Sequence, residues 1–107
     1  MPLTRDSTQT IIERVQRDSD FGRALLDEAV TLFLSGEGMT ARLLLRDLVN
    51  ATVGFEGLAA ETNKPSKSLH RMLSGKGNPS MDNLALIFRV LRQKLGVELH
   101  AQSAKAA

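Results

Sequence analysis

Apolar residues recur at helical spacing along most of the chain, which predicts an all-α protein. One stripe within residues 7–19 and another within residues 20–34 indicate two N-terminal helices, and Gly36 and Gly38 end the second. A third helix, over about residues 40–53, is so rich in apolar residues that we expect it to be buried on more than one side. The pattern therefore predicts a helical bundle.

Polar residues and glycines mark the ends of several of these helices. We expect Ser7 or Thr8 to cap the first helix and Asp20 to open the second. Ser80 is a suitable cap for the last long helix, which Gly96 ends. These positions set the expected element boundaries.

Two short helices joined by a tight turn are predicted within residues 55–79. Leu58 faces inward on the first helix, and Asn63 tolerates the left-handed backbone that the turn needs. Pro65 suits the first turn of the second helix, and Gly75 suits the position just beyond its end. This arrangement predicts a helix-turn-helix.

The second of these helices has two chemically different faces. Leu69, Met72 and Leu73 recur at i, i+3 and i+4, so they form an apolar stripe that faces a core. Lys67 and Arg71 fall on the opposite side, where no carboxylate occurs. Such a face is suited to phosphates and base edges.

The C-terminal residues follow a different pattern. Residues 97–101 alternate apolar and polar, so residues 96–107 are expected to form either a short strand or a tail. A lone strand would need a partner from a second copy or from another protein. We divide the chain into an N-terminal helical extension at 1–36, packed on the same core, a helix-turn-helix domain at 37–95, and this terminus.

Composition narrows the function classes. The chain has 107 residues, 42% of them hydrophobic and 24% charged, which is typical of one globular domain. It contains no cysteine, no run long enough to cross a membrane and no apolar leader, so we expect a cytoplasmic protein without a membrane partner.

Charge is distributed unevenly. Residues 1–54 hold six basic and eight acidic side chains, whereas residues 55–107 hold eight basic and four acidic ones. Four cations and no anion occur within residues 62–78. A local basic patch on a nearly neutral chain is typical of a small DNA-binding protein, although a merely solvated basic face is the alternative.

The sequence contains no set of residues whose types and spacing indicate catalysis. His70 and His100 have no nucleophile or carboxylate spaced as a partner, and two histidines without cysteine make a poor zinc site. The segment 75–77 lacks the spacing of a phosphate loop. We therefore expect no enzyme, no metal, no cofactor and no small-molecule substrate.

The ordered features within about residues 44–95 resemble the Cro/repressor-type (XRE-like) helix-turn-helix of bacterial and phage regulators. The resemblance rests on Leu58-Ala59, Asn63, Leu69, Met72, Gly75, Asn78-Pro79-Ser80 and Leu84. Residues 43–55 and 67–73 look more narrowly like the addiction-module antidote family of antitoxins. This resemblance implies dimeric binding to an operator and a small toxin of the RelE/ParE superfamily as a partner.

Site residues follow from the way this motif enters the major groove with the N-terminal part of its second helix. We assign base contacts to Ser66, Lys67, His70 and Arg71. We assign phosphate contacts to Lys64, Ser68, Lys76, Asn78 and Ser80. For each lone lysine, plain solubility is the alternative.

These observations predict a sequence-specific, double-stranded-DNA-binding transcriptional regulator, a repressor that binds a pseudo-palindromic operator as a homodimer. The alternative is an antitoxin that neutralises a RelE/ParE-like toxin by direct protein binding and also represses its own operon.

Overall fold

A computed structural model describes the backbone of residues 3–107 and the side chains of residues 9–107, so residues 1 and 2 of the expected N-terminal extension lie outside the described range. The described chain forms six α-helices and no strand, which confirms the all-α expectation. The helices are α1 (Leu3–Arg17), α2 (Ser19–Leu34), α3 (Gly38–Ala51), α4 (Gly54–Thr62), α5 (Ser66–Met72) and α6 (Met81–Leu95).

The first residues of α1 and α2 differ from those that the polar residues led us to expect. Helix α1 already begins at Leu3, so the expected cap at Ser7 or Thr8 is wrong. Helix α2 is capped by Asp18, whose carboxylate accepts hydrogen bonds from the backbone N–H groups of Asp20 and Phe21. Asp20 therefore lies in the first turn rather than before it.

One core joins the N-terminal helices to the rest of the chain. Helices α1 and α2 pack on α3, and α2 also contacts α6. Gly22 of α2 lies so close to Leu95 and Val15 that a β-carbon there would meet their side chains at 3.0 and 3.1 Å. The largest fully buried side chains are Leu26, Leu45, Leu48, Val49, Leu58, Leu69, Leu73, Ile87, Val90 and Leu91.

Helix α3 lies at the centre of this core. It contacts α1, α2 and α4, which confirms the expectation that it is buried on more than one side. Asp47 is its one buried charged residue, and the Oδ1 atom has no hydrogen-bond partner among the described residues. Burial raises the pKa of the Asp47 carboxyl, and the neighbouring Arg46 charge opposes that rise.

The final helix has the predicted ends. The Ser80 side chain accepts a hydrogen bond from Asn83 N–H at 3.1 Å, and Asp82 lies in the first turn. Gly96 adopts the left-handed conformation (φ +66°) that closes the helix.

Residues 96–107 were expected to form either a short strand or a tail, and the structure shows no strand there. Residues after Gly96 run without regular secondary structure, with Val97 and Leu99 packed against the core. Among the described residues of one copy there is no strand with which this segment could form a ladder. Among the described residues, no helix is both long and apolar enough to cross a membrane.

Candidate nucleic-acid interface

Helices α4 and α5 are joined by three residues, and the conformation of each explains the turn. Asn63 is the only described non-glycine residue with positive φ (φ 56°, ψ 38°), as the sequence predicts. Lys64 N–H donates to the Ala59 carbonyl at 3.3 Å, which satisfies one of the last carbonyls of α4. Pro65 is extended and immediately precedes α5, one position earlier than expected.

The two faces of α5 differ as the apolar spacing predicts. Leu69 and Leu73 are 1% and 0% exposed, respectively, so the inner face belongs to the core. Lys67, His70 and Arg71 are exposed on the helix. The core contacts therefore hold α5 while its cations remain available to a ligand.

Four of the assigned residues share one surface concavity of about 280 Å³. Arg71 and Ser68 of α5 face it from one side, and Lys76 and Asn78 of the following loop line it as well. Arg71, assigned to a base, thus lies beside three residues assigned to phosphates. Two cations and two neutral donors at one concave surface are suited to an anionic ligand such as a phosphate.

The cations within residues 62–78 have no acidic partner in the part of the chain that the structure describes. Within the described residues, the one ion pair between a lysine or arginine and a carboxylate joins Lys94 to Glu61, and His100 Nε2 lies 3.3 Å from Glu98 Oε2. Residues 62–78 contain four basic residues, Lys64, Lys67, Arg71 and Lys76. None of their side chains makes a hydrogen bond or an ion pair with a described residue. Their charge is therefore not neutralised within the fold, which favours attraction of an anion.

His70 has a contact that the sequence did not reveal. Its imidazole stacks on the Phe55 ring of α4, with centroids 3.8 Å apart and planes 17° from parallel. One face of the imidazole is therefore covered, whereas the residue as a whole remains exposed. The stack fixes the ring against α4 and leaves its edge to meet a ligand.

Arg42 of α3 is a positioning residue that sequence reasoning missed. Its Nε donates to the Ser74 carbonyl at 3.0 Å and its Nη2 donates to the Gly75 carbonyl at 2.9 Å. This bidentate contact ties the turn after α5 to the central helix. The partners of Arg42 lie 32 and 33 positions away, so no local pattern in the sequence indicates this contact. The only signal is the presence of an arginine among the apolar residues of α3.

The end of α5 differs from the prediction. The helix ends at Met72, and Gly75 has no positive φ, so its expected role directly after the helix is wrong. The backbone N–H and the hydroxyl of Ser74 both donate to the Arg71 carbonyl, which turns the chain earlier. Gly77 is the constrained glycine, because a β-carbon there would collide with the Met72 and Arg71 carbonyls.

Three of the remaining residues that we assigned to DNA contact lie outside the concavity that contains Arg71. Ser66 begins α5 and is half-buried, and Lys64 is half-buried in the turn before it. Ser80 is exposed, but its hydroxyl oxygen already accepts the capping hydrogen bond of α6. Ser66, Lys64 and Ser80 do not line the concavity that contains Arg71.

Comparisons of this chain with protein-family models, curated proteins and solved structures found no match. The functional argument therefore depends on the chemistry of these residues.

Proposed function

We propose that this protein is a sequence-specific DNA-binding regulator, with α4 and α5 as a Cro/repressor-type helix-turn-helix. The observation that carries the proposal is the outer face of α5, where exposed cations without acidic partners are held by a fully packed inner face. A duplex supplies the regularly spaced negative charge that such a face lacks within its own fold.

Roles within the proposed interface follow from position. Arg71 and Lys67 point outward from α5, and an arginine can read guanine through two hydrogen bonds. Lys76 and Asn78 lie on the loop beyond the helix, so they are suited to backbone phosphates that set the register of docking. His70 adds a ring edge whose position the Phe55 stack fixes.

The proposal is tested by measuring affinity for a duplex of mixed sequence at several salt concentrations. We expect the logarithm of the association constant to fall linearly with the logarithm of salt, since each phosphate contact contributes a slope of about −0.9. The triple variant K64A/K67A/K76A should flatten that slope by about 1.8 for the two assigned phosphate contacts, Lys64 and Lys76, and by up to about 2.7 where Lys67 also meets a phosphate on a duplex that lacks its base.

A matched control removes three exposed cations that have no ion pair among the described residues, in R23A/R89A/K105A. It should retain the wild-type slope. A wild-type protein without measurable duplex binding at low salt, or equal losses in both triple variants, would contradict this interface.

Toxin neutralisation is a second candidate, favoured by large apolar side chains that remain exposed away from α5. Leu34 and Met81 are 75% and 79% exposed and border an apolar concavity between α2 and α6, with Phe88 at its base. A surface of this kind supports binding of a small protein. Co-expression with the product of an adjacent reading frame, with L34E/M81E as the comparison, measures such binding: loss of capture in the variant is the expected result.

A further inference from the structure

His70 is held on the exposed side of α5 by an aromatic contact. Its imidazole lies nearly parallel to the Phe55 ring of α4, with the two centroids 3.8 Å apart. The side chain of His70 makes no hydrogen bond or ion pair with another described residue. Both ring nitrogens are therefore available to a ligand, while the ring itself is held in one orientation by the stack.

The charged groups around this stack come from the two helices that meet there. Helix α5 carries Lys67 one turn before the histidine and Arg71 directly after it. Helix α4 carries Glu56, which is exposed, and Glu61, which already has a lysine partner. Neither carboxylate lies within ion-pair distance of His70. In the described part of the fold, no ion pair therefore stabilises a positive charge on this imidazole.

The charge of an imidazole decides which groups it can meet. A neutral ring has one N–H donor and one acceptor nitrogen, whereas an imidazolium has two donors. Phosphate oxygens are acceptors, and so are the N7 and O6 atoms of guanine in the major groove. A neutral ring placed among these acceptors would leave its own acceptor nitrogen unpaired. The imidazolium is therefore the form that complements them.

We propose that His70 enters the duplex interface as an imidazolium, so that binding of DNA takes up one proton. The Phe55 ring supports this form, because the face of an aromatic ring attracts a cation within about 6 Å of its centroid. The phosphates of the duplex favour it as well, since nearby negative charge stabilises a protonated imidazole. Phosphates also neutralise Lys67 and Arg71, whose like charges oppose protonation in the free protein.

This inference rests on the proposed function, because the proton is taken up at the same surface that α5 presents to DNA. It adds a form of regulation, since affinity for the duplex then depends on pH in the range of about pH 5–8, where histidine ordinarily changes charge. The protonated form binds more tightly, so the dissociation constant should rise as pH rises. For one proton, its logarithm should rise by at most about one per pH unit.

The chain contains two histidines, so each can serve as the control for the other. Fluorescence anisotropy measures the affinity for a duplex site that the wild-type protein selects from a randomised library, between about pH 5.5 and pH 8. Ionic strength is held constant, because salt alone changes the affinity. Wild type should bind roughly threefold to tenfold more tightly at the lower pH, as expected when a neutral hydrogen-bond donor becomes a charged one.

Two glutamine variants assign the effect to one histidine. His70→Gln retains an amide that can donate but has no proton to gain in this range, so it should lose the pH dependence. His100→Gln should retain it, because His100 lines a concavity with residues of α2 and α6, away from α5.

Phe55→Leu tests the aromatic support. Leucine keeps an apolar side chain at this buried position but offers no ring face to His70. The pH dependence of binding should therefore shrink toward that of His70→Gln, in a variant whose circular dichroism shows folded helices. A loss of affinity that is the same at every pH would mean that Phe55 acts only through the packing of α4.

Proton NMR reports the charge of the imidazole directly. The C2 proton signal of an imidazole moves when the ring is protonated, and His70→Gln identifies the signal of His70. At a pH where the free protein shows the neutral signal, addition of the duplex should move the His70 signal to the protonated position. The His100 signal should not move.

The outcomes separate this inference from the proposed function. Duplex binding by wild type that does not vary with pH, or that varies equally in His70→Gln, overturns the inference and leaves DNA binding in place. A neutral His70 signal in the complex also overturns it, because a base donor such as the adenine amino group would then face the ring. A wild-type protein that binds no duplex at any pH overturns both.

Discussion

Helices α3 and α5 each carry an arginine with a different kind of environment. Arg42 of α3 donates to two backbone carbonyls within the fold, whereas Arg71 of α5 is exposed and makes no ion pair or side-chain hydrogen bond among the described residues. Arg42 organises the loop that follows α5, and Arg71 lies in the concavity lined by that loop. The same residue type therefore holds a loop in place where it has backbone partners, and remains available to a ligand where it has no partner among the described residues.

The largest expected effect concerns the inner face of α5. Leu69→Ala should lower the free energy of unfolding by about 2–5 kcal/mol, because it removes a fully buried side chain and leaves a cavity. Lys67→Ala, two residues earlier on the exposed face, should change it by less than about 0.5 kcal/mol. Urea unfolding followed by circular dichroism measures both. Similar losses in the two variants would remove the distinction between the faces.

The next largest expected effect concerns Arg42, the arginine of α3 that donates to two backbone carbonyls. Arg42→Ala should cost about 1.5–3 kcal/mol of stability, since two carbonyls lose a charged donor. Arg42→Lys retains the charge but lacks the planar fork, so we expect it to recover only part of the loss. Thermal unfolding measures this order. Full recovery by lysine would show that the charge, rather than the bidentate contact, stabilises the loop.

Arg71→Ala tests the other arginine. We expect a stability change within about 0.5 kcal/mol, because the side chain makes no ion pair or hydrogen bond with the residues that the structure describes. Binding to a duplex site that the wild-type protein selects from a randomised library should weaken by about 1–3 kcal/mol, with specificity relaxed at one base pair. Fluorescence anisotropy with single-base operator variants makes this measurement. An equal loss on every sequence would instead make Arg71 a phosphate contact.

The smallest expected effect is on the free energy of unfolding and concerns the buried Asp47 of α3. Asp47→Asn should raise the free energy of unfolding at neutral pH by roughly 1 kcal/mol, since it removes a buried charge whose Oδ1 has no partner among the described residues. Because burial raises the folded-state pKa of Asp47, wild-type stability should increase as pH falls through that pKa toward the ordinary aspartate range. The advantage of the variant should shrink over the same window.

Urea unfolding at a series of pH values measures this convergence. A variant that is less stable than wild type at neutral pH would show that the carboxylate of Asp47 makes a stabilising contact. A difference that does not change with pH would exclude protonation of Asp47 as its cause.

Local chemistry made several features predictable from the sequence. Asn63, Ser80 and Gly96 adopt the expected conformations because each is determined by its own side chain and a few neighbours. The inward direction of Leu69 and the outward direction of Arg71 follow from helical spacing alone. These features required no knowledge of tertiary structure.

Long-range contacts account for what was missed. The Arg42 clamp and the stack of His70 on Phe55 join residues far apart in sequence, which no local pattern reveals. Gly75 was expected just after the end of α5 because glycine is common at that position. The position that only glycine fits is Gly77, where a β-carbon would collide with the backbone carbonyls of Arg71 and Met72. The C-terminal alternation indicated either a strand or a tail, and the described part of one copy contains no strand that could pair with this segment.

The most direct test of the central claim is selection of binding sites from a randomised duplex library, with wild type beside K67A/R71A. We predict that wild type enriches a palindromic motif with half-sites about one helical turn apart, and that the variant, folded as well as wild type, loses it. A motif enriched equally by both proteins, or no enrichment by wild type, would contradict the claim that the outer face of α5 reads DNA.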